Sequence, residues 1–254
     1  MPAAHAGSVP APRVERAPDP GLLSAHPNLR ENTAAVGLDK GVWPTLRRRR
    51  AGLTVADPRA GQVAYAGVFD NRQGGLTPLF VRLKIGGGRV EESEVAYGVG
   101  PGDLFHPEAL LEPDILYDAP VPPARRSARP TLIEVANRYM DGIGARSGAN
   151  VPIAARCDKY FLGGRVTNSP VTGIGSCEQS FATVRSDPPA GRRVLIVDAE
   201  RGLVVVSFLL PHPKGGAPGA TYTCEILKIV DGKIRSVDEF GADISSTPSS
   251  GFEG

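Results

Sequence analysis

Glu225, Tyr139, Asp141 and His212 are the side chains in this sequence best placed for acid–base chemistry. Glu225 stands mid-strand between Cys224 and Ile226 and shares a face with Thr223 and Leu227. A carboxylate in an otherwise apolar strand needs a cationic partner, an exposed face or a function. In an apolar cavity its pKa would rise toward values useful to a general base. At an interface it would be half of a salt bridge. Tyr139 and Asp141 lie near the end of an amphipathic segment. A tyrosine hydroxyl can donate to a developing oxyanion, and a desolvated aspartate can take a proton. The plainer readings are a core aromatic and a helix C-terminal turn. His212 lies in Pro211-His212-Pro213 at a strand end. Its near-neutral pKa suits proton transfer, but a loop histidine is ordinarily just exposed.

Other chemistries find no motif. There is no nucleotide-binding P-loop, serine-hydrolase elbow, zinc-protease helix or Cys-x-x-Cys pair. Gly86-Gly87-Gly88 falls inside a hairpin, where it cannot open a helix onto a phosphate. His5, His26, His106 and His212 are scattered, so no metal and no cofactor is expected. Three cysteines are too few for a disulfide framework. Cys157 and Cys177 read as buried packing residues, a disulfide or reactive thiols. Residues 1–20 are proline-rich without an apolar run, so a cytoplasmic protein with reduced thiols is expected. The formal net charge of +2, from 29 basic and 27 acidic residues, gives no footprint for nucleic acid or a membrane surface. The longest apolar run, residues 203–210, is strand-sized.

The elements that must position these groups come from a duplication. Asp57 aligns with Asp198, Gly61 with Gly202 and Val63 with Val204; further on, Leu83-Lys84-Ile85 aligns with Leu227-Lys228-Ile229. The second copy carries three extra residues between these segments, in a hairpin loop at His212-Pro213-Lys214. Glu225 then falls where the first copy has Val81. Upstream, Trp43-Pro44-Thr45-Leu46-Arg47 faintly matches Phe181-Ala182-Thr183-Val184-Arg185. In each copy an Asp-x-x-x-Gly turn opens a strand, a second strand follows, and Gly87-Gly88 or Asp231-Gly232 turns into a third. Asp57 and Asp198 therefore read as turn residues, and Glu200-Arg201 as a turn ion pair.

Only the second copy shows helices ahead of this three-stranded meander. Leu132, Val135, Ala136, Tyr139, Met140 and Ile143 keep helical spacing over residues 131–143, with Pro130 in the first turn and Gly144 ending the helix. Residues 157–168 read as a small hairpin turning at Gly163-Gly164, and 176–185 as a short capped helix. In the first copy, Arg47 to Arg50 read as the solvated end of a helix carrying Trp43, or as an anion contact. Residues 1–27 are expected to be a disordered Pro/Ala-rich tail and 28–97 a degenerate domain. The apolar islands within 98–129 make that stretch a packed connector. Residues 130–243 form the complete domain and 244–254 a disordered tail.

Tyr139-Met140-Asp141-Gly142-Ile143, Val151-Pro152-Ile153, Cys157-Asp158-Lys159, Cys177-Glu178-Gln179 and the Asp198-to-Gly202 turn resemble a tandem group within the NTF2-like (SnoaL-like, cystatin-like cone) superfamily. A Glu-Asn-Gly motif common after the first cysteine in that group is replaced here by Phe161-Leu162-Gly163, while Glu31-Asn32 stands in the first copy. The resemblance implies an α+β chain of two cone domains with curved antiparallel sheets. The sheets would pack as an intramolecular pseudo-dimer, with the first copy lacking its N-terminal helices and homo-oligomerisation left open. It also implies a cavity in the second cone, reached by Glu225, Tyr139, Asp141 and His212. The expected function is cofactor-independent acid–base catalysis (isomerase, dehydratase or lyase type), or binding, of a small apolar organic compound. The rival is a non-catalytic assembly module whose cone is plugged by Phe161, Phe181 and Met140.

Overall fold

The computed structural model describes residues 20–37, 39–98, 102–112, 115–216, 218–245 and 250–252. The first copy comprises β1 (Leu23–Glu31), β2 (Ala34–Ala35), β3 (Leu46–Asp57), β4 (Gln62–Asn71), β5 (Leu76–Gly86) and β6 (Arg89–Tyr97). A connector with a short helix, α1 (Ile115–Asp118), leads to α2 (Arg129–Ala145). The second copy continues with β7 (Ile153–Phe161), β8 (Gly164–Arg165), α3 (Cys177–Ser180), β9 (Ala190–Asp198), β10 (Leu203–Pro211), β11 (Ala220–Val230) and β12 (Lys233–Ile244). The two sheets have the same strand order, β2-β1-β6-β5-β4-β3 and β8-β7-β12-β11-β10-β9. The chain is thus α+β, with two copies of one sheet and, among the described residues, a long helix only in the second. Among the described residues no helix is long and apolar enough to cross a membrane.

Strand β10 explains the arrangement. Leu203 to Leu209 are buried on both faces, so each face must be covered. Val204, Val206 and Phe208 pack with Leu132, Val135, Tyr139 and Ile143 of α2. Leu203, Val205 and Leu209 face the other way, into a cluster with Val55, Ala64, Ala66, Phe80 and Ala96 of the first sheet. The two sheets are therefore packed face to face within one chain. At that interface lies a buried polar knot: Glu94 accepts from Arg193, Arg82 and the Tyr222 hydroxyl, and the Cys224 thiol donates to Tyr222. Burial pushes the Cys224 thiol pKa well up, so it stays protonated and inert.

Among the described residues the first copy has no counterpart of α2. Its outer cone face is filled by its own side chains: Leu79, Val81 and Val95 lie beneath Trp43, Tyr65 and Tyr97.

Several sequence expectations need correction. Residues 1–19 lie outside the described residues, but the first copy starts at Leu23, ahead of the expected boundary. Each meander has four strands, because β3 and β9 precede the aspartate turns. Arg47 to Arg50 belong to strand β3 and not to a helix. Across β4, Asp70 binds Arg48 and Arg50 at 2.9 and 2.8 Å, which fixes the segment as extended. Each sheet also contains one parallel pair, β1 with β6 and β7 with β12. Gly144 does not end α2. Arg146 does, in the left-handed conformation, with its N–H bonded to the last turn. At the C-terminal end, Ser250 is buried and Phe252 stacks over Arg82 and Arg193 at 5.5 and 5.2 Å, so 250–252 close over the knot instead of forming part of a disordered tail.

Cys157 and Cys177 are bonded, with Cα atoms 5.8 Å apart. Of the three readings left open, the disulfide is the one present, and the expectation of reduced thiols fails for this pair. It ties β7 to α3. The expected cytoplasmic location rested on residues 1–20, which lie almost wholly outside the described residues, and a disulfide is uncommon in that compartment.

The connector packs as a strap. Phe105 makes a β-bridge to Gly163, and a Cβ on Gly163 or Gly164 would lie 2.1 Å from the carbonyl oxygens of His106 or Leu104. Those glycines are required by the strap's close approach as well as by the turn.

Candidate functional site

The second copy holds an open cavity of about 390 Å³ between α2, the sheet, the segment around α3 and Leu104 of the connector. Its walls are largely apolar, from Ile143, Phe161, Phe181, Phe208 and Leu210. Phe161 and Phe181 line the space without filling it, and Met140 is buried outside it. This volume is in the range of small-molecule pockets, roughly 300–1,000 Å³.

A charged trio lies in the wall. Lys159 of β7 donates to Glu225 of β11 at 2.9 Å and approaches Glu239 of β12 at 2.8 Å. Its third bond, 3.1 Å, goes to the Tyr139 hydroxyl of α2. With three N–H groups and three acceptors, the ammonium is saturated. Tyr139 accepts that bond, and its hydroxyl also lies against the Glu225 carboxyl, to which it donates. Its ring meets Phe181 edge-on at 5.5 Å. Glu225 is 1% exposed, and its Oε2 has no hydrogen-bond partner among the described residues.

The register explains why these groups meet. Glu225 and Glu239 are directly opposed across β11 and β12, where like charges repel. Lys159 is paired with Val237, one position along the same face from Glu239. In the first sheet Val81 opposes Val95, and Leu29 pairs with Ser93. Matching ladders, Leu29, Val81 and Val95 occupy the places of Lys159, Glu225 and Glu239. Buried Leu79 likewise matches Thr223, whose buried hydroxyl also lacks a partner. The same sheet is apolar at these positions in one copy and ionic in the other.

One lysine cannot neutralise both the buried Glu225 and the half-buried Glu239. Burial, opposed by the Lys159 charge and reinforced by Glu239, pushes the Glu225 carboxyl up to about 7. Burial disfavours the Lys159 ammonium, but the two carboxylates outweigh it and hold its pKa well above the usual lysine range. The two shifts agree physically: the lysine stays charged and the spare proton resides on Glu225. Burial and the Glu225 charge push the Tyr139 hydroxyl well up as well, so it remains a donor.

His212 lies in the cavity wall near the outer rim, 3.8 Å from Asp243. Asp141 is not part of the site. It is exposed on the far side of α2 and pairs with Arg192 at 2.8 Å. Helical spacing puts it two residues from Tyr139, which turns it away from the cone. Asp57 is more than a turn residue: its Oδ2 accepts from Arg129 at 2.6 Å and from the Val197 N–H at 3.0 Å, across the copies. Arg201 pairs with Asp198 and Asp118, and Glu200 lies 3.8 Å from Arg126, so the expected Glu200–Arg201 pair does not form. Lys159 and Glu239 were missed by sequence reasoning. Glu239 was not reachable by counting: from the Asp231-Gly232 turn the count puts Asp238 opposite Glu225, and a β-bulge between Lys228 and Ile229 moves the register on to Glu239. Among the described residues no cluster of three or more His, Cys, Asp or Glu could hold a metal ion.

A protein family described as a domain of unknown function, DUF8021, matches residues 125–241. That stretch, just under half of the chain, contains Tyr139 and the whole trio. The chain is also similar to an NTF-2 like protein of unknown function from Burkholderia xenovorans LB400, at 18% identity over 47% of this chain and 88% of that one, with a TM-score of 0.33. No curated protein matches.

Proposed function

We propose that the second cone is an acid–base site for a small, mostly apolar organic compound, and that its chemistry is cofactor-independent proton transfer next to a carbonyl. The observation that carries this is Glu225: a buried carboxyl in a cavity wall, with one oxygen unpartnered and a pKa near 7. A base poised near neutrality is well matched to abstracting and returning a proton. Tyr139, polarised by Lys159 and unable to ionise, is the donor suited to the oxygen on which charge develops. Isomerisation, dehydration and lyase cleavage all begin with this step. His212 belongs at the entrance and not at the reacting atoms.

The test needs no known substrate. Simple enolisable ketones are incubated with the protein in D2O and exchange of their α-protons is followed by NMR. Exchange above buffer that rises through about pH 7 and disappears in Glu225→Gln supports the reading. Exchange equal in both proteins would end it.

A second reading is a binder without turnover. The full saturation of Lys159 favours it, since such a lysine is fixed in structure. It predicts ketone binding without exchange.

A further inference from the structure

Glu225 is not the only buried polar group in this cavity that lacks a partner. Ser186 also lines it, is 7% exposed, and its Oγ makes no hydrogen bond among the described residues. Serines on loops are ordinarily wet or bonded to nearby backbone. This one is neither, although its surroundings are firmly held. Its carbonyl accepts from Arg146 at 2.6 Å, and the N–H of the next residue, Asp187, donates to Pro211 at 3.0 Å. The backbone on both sides is pinned by the end of α2 and the end of β10, and the hydroxyl is left over. An unsatisfied buried hydroxyl is a standing cost of about 1–3 kcal/mol, and a native structure retains it where something else completes it.

The two unpartnered groups belong to different parts of the cavity wall. Glu225 sits within the sheet among the trio. Ser186 sits with Arg185 and His212, before β9 and after β10, at the rim. The same cavity is also lined by the apolar Ile143, Val184, Phe208 and Leu210.

We infer that Ser186 Oγ is a second ligand-binding group, so that the compound held here is bifunctional: an apolar body with a carbonyl at the Glu225 end and another oxygen function, hydroxyl or carboxylate, at the Ser186 end. This rests on the acid–base reading of the same cavity. Ser186 takes no part in proton transfer. It selects the compound and sets its direction, presenting the α-carbon of the carbonyl end to Glu225.

The experiment compares acetophenone with para-hydroxyacetophenone and para-acetylbenzoate, titrated by NMR into wild type, Ser186→Ala and Glu225→Gln. Wild type is expected to bind at least one of the substituted ketones about fivefold more tightly than acetophenone, the worth of one ordinary hydrogen bond. Ser186→Ala should erase that gap, leave acetophenone affinity unchanged and raise the melting temperature of the free protein, because the unsatisfied hydroxyl is gone. The arm that gains, phenol or benzoate, states which oxygen function the rim accepts. Equal affinities in wild type, or a gap that survives Ser186→Ala, overturns the inference and leaves the Glu225 reading standing. A gap that Ser186→Ala removes upholds the Ser186 contact, and α-proton exchange that persists in Glu225→Gln then removes the Glu225 reading separately. Failure of all three ketones to bind wild type overturns both.

Discussion

Glu225 and Glu239 face each other across neighbouring strands of a buried sheet, and Lys159 on the next strand holds them together. The corresponding positions of the first copy, Val81 and Val95, face each other in the same way without charge. A site that requires two carboxylates to coexist has been placed on a framework that folds without them.

This yields a paired test. Lys159→Met leaves the buried Glu225 opposed to Glu239 with no cation between them and should destabilise the protein by about 3–5 kcal/mol. The combined change Lys159→Leu, Glu225→Val and Glu239→Val copies the first sheet. It should be as stable as wild type, or up to about 1–4 kcal/mol more stable, while losing ketone binding. Urea unfolding of the two variants measures the contrast. A triple variant weaker than the single one would show that the trio is there for stability.

The Glu225 proton has a signature in stability as well as in activity. Its folded pKa, about 7, lies above the ordinary 4.5. Between those values the folded state holds more protons, so stability falls as pH rises through this window, by at most about 3 kcal/mol. Lys159, with its pKa raised, contributes fully below the ordinary lysine value and is silent here. Carboxyls held low by arginines, such as Asp57 and Asp70, lose their contribution only at more acid pH. Glu225→Gln should therefore flatten the slope between about pH 4.5 and 7 and nothing below it, as read from melting temperature against pH.

Reduction of Cys157–Cys177 should loosen the cavity. The bond closes a loop with a sequence separation of 20 residues, worth about 3 kcal/mol in the chain-entropy account. It ties the strand bearing Lys159 to the short helix that leads into Phe181. Dithiothreitol, or the double change Cys157→Ser and Cys177→Ser, should lower the melting temperature. Ligand affinity should fall with it, measured well below the transition. An unchanged affinity would show that packing alone positions Phe181.

Asp57 belongs to the first copy but anchors the start of α2 in the second. Asp57→Ala leaves Arg129 and the Val197 N–H without their acceptor and should cost about 3 kcal/mol. Because α2 carries Tyr139, the same variant should also weaken α-proton exchange. If stability falls and exchange per folded molecule does not, Asp57 is a brace and nothing more.

Much of this was legible in the sequence, and the misses have physical causes. The helix carrying Tyr139 showed in its spacing, and the meanders in the Asp-Gly and Gly-Gly turns. The double-sided apolar run of β10 gave the face-to-face packing, because both faces of a strand cannot be buried by one layer. Four successive arginines gave no alternation to mark β3, since charge on every position hides the two-residue period. The parallel pairs were hidden because their partners, β1 with β6 and β7 with β12, lie far apart in sequence. Glu225 stood out because its counterpart was apolar. Lys159 did not, because its counterpart Leu29 lies on a strand where the two copies share no recognisable residues. The Cys157–Cys177 bond turned on proximity, which spacing does not give.

The face of the second sheet that meets the first carries Leu203, Val205, Leu209, Tyr222, Ile226 and Phe240, all nearly inaccessible to water. Cutting the chain in the connector would bare this surface in one step. A fragment spanning residues 125–241 should not remain a well-behaved monomer. It should find a second fragment and cover the same face with it, exchanging an internal partner for an external one. Heat or denaturant acting on the whole chain should likewise melt both halves in a single transition, since the cluster between the sheets is shared by both halves.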